Sequence, residues 1–124
     1  MAWQVAFEAP RRIVSVSYAG HVTSQDIRSC VERVIELMRA ENTNLVFMDI
    51  GGVTRIDAGT VEILSLPELY RSLGLTGSFR QAIVAPPGSA ALDAAAFYET
   101  VCLNRGHQVR LFQERDRALE WLVK

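Results

Sequence analysis

Apolar and polar positions alternate in two short runs at the start of the chain, Trp3–Phe7 and Ile13–Ala19, joined by Glu8-Ala9-Pro10-Arg11. In the second run Ile13, Val14, Val16 and Tyr18 are interleaved with Ser15 and Ser17. A period of two on either side of a Pro-containing connector predicts an antiparallel hairpin, ending at Gly20-His21. The period then changes. Ile27, Cys30, Val31, Val34 and Met38 recur at helical spacing, with Arg28, Glu32, Arg33, Glu36 and Arg39 on the opposite face. Thr23 followed three residues later by Asp26 resembles a capping box, so a helix of about 16 residues is expected from there to the breaker Glu41-Asn42-Thr43-Asn44.

Leu45–Ile50 is an almost unbroken apolar run, the pattern of a strand buried on both faces. A polar loop is expected from Gly51 to Gly59. Val61, Leu64, Leu66, Leu69, Tyr70 and Leu73 then form a helical stripe that Pro67 interrupts, predicting a kink or two abutting helical pieces, closed by Gly74. Arg80–Ala85 reads as a second buried strand, ended by Pro86-Pro87-Gly88. Ser89 is placed to cap the next helix, whose Ala91, Ala94, Ala95, Tyr98, Val101 and Cys102 share one face before Arg105-Gly106 stops it. Gln108–Phe112 is a final strand and Asp116–Val123 a final helix. The order ββαβαβαβα predicts an α/β fold in residues 1–124: one central mixed sheet, flanking helices and right-handed crossovers.

Composition narrows the function. The 124 residues carry 13 Lys+Arg against 14 Asp+Glu, a net charge of −1 that does not suit a general nucleic-acid binder. No apolar run is long enough for a membrane span, and the first dozen residues hold Glu8, Arg11 and Arg12 without the apolar stretch of a signal peptide. Cys30 and Cys102 stand far apart, a pattern expected of a reduced cytoplasmic protein. Of the 13 basic residues only Lys124 is a lysine, so Schiff-base, Walker-lysine and Ser-Lys chemistries would have to use the last residue. There is no nucleophile elbow, dinucleotide fingerprint or phosphate loop. Neither His21 nor His107 has metal-ligand spacing to a cysteine, and a His21–Asp26 or His21–Asp57 pair finds no support in the spacing. No catalytic residue, metal or cofactor is expected.

The informative segment is Leu45–Ile63, where a buried strand runs into a glycine-containing loop and then a helix. Ligands in open α/β sheets favour the carboxyl ends of the strands, and helix starts are friendly to anions. Thr23, Arg55, Asp57, Thr60 and Ser89 are therefore candidates to converge at one edge. The plainer alternative stays open beside this one: Asp57 and Ser89 as ordinary helix caps, Gly51 and Gly52 as turn formers.

The run Val-Phe-Met-Asp-Ile-Gly-Gly-Val-Thr-Arg-Ile-Asp-Ala-Gly, ending at Gly59, resembles the signature loop of STAS domains, in particular their SpoIIAA-like, anti-sigma-factor-antagonist branch. That loop reads as an apolar strand, Asp-Leu-Ser-Gly-Val, then Asp-Ser-Ser-Gly opening a helix. The ending, Val109–Phe112 followed by Arg117–Leu122, is similar to the close of the same branch, and Ile13–Gly20 with Thr23 and Asp26 is similar to its entry. The resemblance spans nearly the whole chain. It implies a non-enzymatic regulatory or ligand-binding module that acts through the loop before the second helix, with a protein partner or a small anionic or apolar ligand. In antagonist members the second serine of Asp-Ser-Ser-Gly is phosphorylated. Here the two serines fall on Ala58 and Gly59, which have no hydroxyl, and Thr60 is the adjacent alternative acceptor.

The candidate binding residues are thus Thr23, Arg55, Asp57, Gly59, Thr60 and Ser89. Two other readings are carried forward: a small enzyme or carrier with a pocket between loops 51–59 and 86–89, and a phosphoswitch at Thr60. A homodimer through the first strand, where Trp3 sits, is a further expectation. For the phosphoswitch, incubation with a cognate kinase should label Thr60; mass spectrometry finding no phosphate in residues 57–65 removes that reading.

Overall fold

The computed structural model describes residues 2–124. Five strands form one sheet in the order β1-β2-β3-β4-β5. They are β1 (Trp3–Glu8), β2 (Ile13–Thr23), β3 (Leu45–Asp57), β4 (Arg80–Val84) and β5 (Gln108–Phe112). β1 is antiparallel to β2 and all later pairings are parallel, giving the mixed sheet that a hairpin followed by αβ units implies. The helices are α1 (Ser24–Ala40), α2 (Thr60–Leu64), α3 (Leu66–Ser72), α4 (Leu92–Asn104) and α5 (Arg115–Leu122). Pro67 sits in the first turn of α3, where its missing N–H costs nothing, so the interrupted stripe becomes two abutting helices. Gly74 follows α3 with φ 99°, a left-handed conformation suited to glycine.

Alternation along the strands divides the interior. Val14, Val16, Val46 and Ile83 face the main core with α1, α3 and α4. Ile13, Phe47, Ala82 and Val84 face the opposite side, where Ala118 and Leu122 of α5 cover them. Successive residues of β3 and β4 are therefore buried on both faces, as the unbroken apolar runs require. The α5 side is tied down by arginines over aromatic rings: Arg80 over Trp121 at 4.3 Å and Arg115 over Phe47 at 4.6 Å. At the sheet edge, Trp3 packs against the main core.

Three boundaries depart from expectation. Residues 51–57 are not a loop: β3 continues through them, because β2 also runs on to Thr23 and pairs with it from Ala19↔Gly52 to Thr23↔Asp57. The register shifts around Gly20, whose φ of 71° lets the strand bulge and resume pairing. His21 accordingly lies on a strand. Ser89 does not cap α4: that helix starts at Leu92 with Ala91 at its cap, and Ser89 Oγ instead donates to the Pro86 carbonyl at 2.5 Å within its own turn. Nor does Asp57 cap a helix, since Gly59 occupies the cap position of α2.

Phe47 is 1% exposed. Phe47→Ala should cost about 3–5 kcal/mol in urea unfolding, and a loss below about 1 kcal/mol would deny it a central place. Thr23→Ala, which removes the α1 cap, should cost only about 1 kcal/mol.

Candidate functional site

The paired ends of β2 and β3 carry a polar cluster. Parallel register sets His21 opposite Arg55 and Thr23 opposite Asp57, so alternate residues of each strand share a face. The Asp57 carboxylate bridges the two strands: Oδ2 lies 2.6 Å from His21 Nε2, and Oδ1 accepts from Arg55 Nε at 3.1 Å. These two bonds hold the Asp57 carboxyl below the usual aspartate range. Thr23 closes a capping box on α1: its Oγ1 accepts from the Asp26 N–H at 3.2 Å, and Asp26 Oδ2 accepts from the Thr23 N–H at 2.9 Å. Bonds from Thr23, backbone first, lower the Asp26 carboxyl as well. Ser24 Oγ donates to Glu62 of α2 at 2.6 Å, with the Asp57 carbonyl 3.2 Å away. The start of α1, the end of β3 and α2 are thereby laced together.

Of the six sequence candidates, Thr23, Arg55 and Asp57 are gathered here. Gly59 and Thr60 follow at the entry to α2, where Thr60 is exposed and a side chain at Gly59 would meet open space. Ser89 stays apart, its hydroxyl committed to its own turn. The His21–Asp57 pair is the residue contact that spacing did not reveal. Its signal was the register of β2 against β3, which appears only once both strands are known to continue past Gly20 and Gly51. The pair is half exposed, with side-chain exposures of 50% and 44%. A five-residue α2 with Glu62 in its first turn and Asp57 just ahead of it has little of the dipole that makes long helix starts attract anions.

Beneath this cluster the site turns apolar. A cavity of about 90 Å³ opens between the carboxyl halves of the strands and the helices. Val53 and Ile56 of β3 line it together with Ile63 of α2, Leu66 of α3, and Ala91, Ala94 and Ala95 at the start of α4. A smaller hollow of about 40 Å³ adjoins it, sharing Tyr18, Val31, Met48, Tyr70 and Tyr98. The three alanines contribute only methyl groups to its wall.

Among the described residues, Tyr18, Tyr70 and Tyr98 supply the hydroxyl groups of the larger cavity's wall. Tyr70 Oη lies 2.8 Å from Tyr98 Oη, and Tyr98 donates to Gln81 Oε1 at 2.7 Å. Gln81 is the buried polar residue of the core, and its Nε2 lies 3.6 Å from the Met48 sulfur. Burial pushes all three phenols upward, so they are neutral at physiological pH. It also raises Cys30 and Cys102 to about 11 each, leaving them as thiols rather than nucleophilic thiolates. No group of three metal-binding side chains occurs among the described residues. No helix among them is long and apolar enough to cross a membrane.

No known protein-family profile matches the chain, and no curated protein matches it at a significant level. Solved structures do. An uncharacterised protein of the DUF3478 family with a SpoIIAA-like fold, from Shewanella loihica PV-4, aligns over 98% of this chain and 93% of its own, with 17% identity and a TM-score of 0.64. The anti-sigma factor antagonist SpoIIAA in its unphosphorylated form aligns over 97% and 96%, with 13% identity and a TM-score of 0.55. Topology and these matches establish a SpoIIAA-like fold.

Because the Asp57 carboxyl is held low in the folded protein, its contribution to stability is fully present above about pH 4 and is lost as the pH falls through the lowered value. Asp57→Asn should be less stable than the parent in urea at neutral pH, and the two unfolding curves should converge in acid. A stability gap unchanged between neutral pH and acid would contradict the bridging role.

Proposed function

We propose that the chain is a non-catalytic regulatory module that binds a small apolar ligand in the cavity beneath α2 and displays its bound state on the outer face of that helix. The observation that carries this reading is the cavity itself. It lies at the carboxyl ends of the parallel strands, where α/β folds hold ligands, and no charged side chain among the described residues lines it. For scale, an engineered apolar cavity of about 150 Å³ stays dry and takes up benzene or xenon. In this reading Arg55, Asp57 and Thr23 do not touch the ligand; they fix the strand ends that roof it. Gly59 and Thr60 form the entry to α2, and Ser89 shapes the turn leading to the cavity-lining alanines.

A second reading, docking of a protein partner at the same end, is favoured by Val61 at 76% exposure and Leu64 at 48% on α2. It accords with the regulatory SpoIIAA fold and is compatible with the first, since Ile63 of the same helix lines the cavity. A homodimer through the open edge of β1 would rest on backbone pairing, because Trp3 is engaged with the core. The two free, buried cysteines accord with a reducing cytoplasmic setting.

Benzene tests the ligand reading. At about ten times its Kd it should stabilise the protein by roughly 1.4 kcal/mol, a Tm rise of roughly 4–8 °C, with NMR shifts in the Ile56 and Ile63 methyls. Ala95→Leu, filling the cavity, should abolish both while the protein remains folded. If benzene leaves those methyls and the Tm unchanged in the parent protein, the apolar-ligand reading fails and docking stands alone.

A further inference from the structure

The hydrogen bonds around Gln81 have a direction, and that direction selects the kind of ligand the cavity would take. Gln81 Nε2 faces the Met48 thioether, which can only accept, so the amide oxygen is the atom presented to Tyr98. Tyr98 spends its single hydroxyl proton on that oxygen at 2.7 Å. The 2.8 Å contact between the two phenols must then be made by the Tyr70 proton, donated to Tyr98 Oη. Tyr70 is left with no proton to give and with acceptor capacity to spare, since its bond to Tyr98 is the only side-chain hydrogen bond it makes among the described residues. It lines both the larger cavity and the adjoining hollow. The hydroxyl of Tyr18, also in the wall, is raised by burial and by the neighbouring Cys30 thiol.

We propose that the cavity selects a small neutral apolar molecule carrying one hydrogen-bond donor, of the class of phenols and short alcohols, whose proton is accepted by Tyr70 Oη. This rests on the apolar-ligand reading above and adds the polarity of recognition to it. Gln81 sets that polarity from behind: it makes Tyr98 a donor toward itself, and Tyr70 in turn an acceptor toward the ligand. An ion is disfavoured because no charged side chain among the described residues lines the cavity to replace its lost hydration. A ligand bearing only acceptors would place its oxygen against the Tyr70 lone pairs and gain no hydrogen bond from Tyr70.

The test compares benzene, phenol and anisole, which has an oxygen acceptor but no donor, by methyl NMR titration of the intact chain. Phenol should bind about 3–10-fold tighter than benzene, the range expected of one net hydrogen bond, whereas anisole should show no such gain. In Tyr70→Phe the ratio of phenol to benzene affinity should fall to about one. Should that variant not fold, the ranking of the three probes on the parent protein decides the matter alone. Phenol binding no tighter than benzene, or anisole matching phenol, overturns the donor preference while leaving the apolar-ligand reading intact. Failure of benzene to bind overturns that reading itself, and the donor preference with it.

Discussion

The structure depends on the burial of β3 on both of its faces. Val46 turns to the core shared with α1, α3 and α4, while Phe47 turns to the small core under α5. A strand so placed must be central, must be hydrogen-bonded on both sides and must be covered by helices above and below, and β2 and β4 meet those demands as parallel neighbours. Past Asp49 the constraint changes, because β4 ends opposite it and only β2 continues. The far half of β3 is thus a two-stranded extension whose inner residues, Val53 and Ile56, have helices but no further strand beside them.

The candidate site is a consequence of that extension. On its outer side the two strands need polar ties to stay together, and Asp57 provides one by bridging His21 and Arg55. On its inner side, α2 and the alanine-rich head of α4 must fill the space above Val53 and Ile56, and they do so incompletely. Close packing is the rule in protein interiors, so unfilled apolar volume at the carboxyl ends of the strands is the feature that sets this end of the molecule apart. Polar ties outside and an apolar cavity inside meet at α2, anchored by Ser24 to Glu62 on one side and contributing Ile63 to the cavity on the other.

Most of the fold was legible in the sequence because its signals are local. The alternation in Ile13–Tyr18, the helical stripe from Ile27 to Met38 with its Thr23–Asp26 cap, and the doubly buried runs at Leu45 and Arg80 each announce their own element. The resemblance at Asp57 placed attention on the end of the sheet where the polar cluster and the cavity lie. What stayed hidden was set by partners distant in sequence. Gly51-Gly52 looks like a turn, and becomes strand only because β2 continues past its expected end at Ala19 to Thr23 and keeps pairing with β3. Ser89 looks like a cap, but three more residues pass before the backbone turns helical at Leu92. The cavity could not be read at all: Ala91, Ala94 and Ala95 suggest close approach of helix to sheet as readily as unfilled space, and the packing of α2 and α3 decides between them. Gln81 and Tyr98, 17 positions apart, likewise reveal their buried bond only in three dimensions.

The most direct measurement is a crystal structure determined under xenon pressure, which reports occupancy of apolar space without any assumption about the natural ligand. A xenon site bounded by Ile56, Ile63, Tyr70 and Ala95, with α2 in place above it, is the predicted result. Absence of xenon from that volume, with side chains from α2 or α4 closed into it, would contradict the account that this end of the fold is built to hold a ligand.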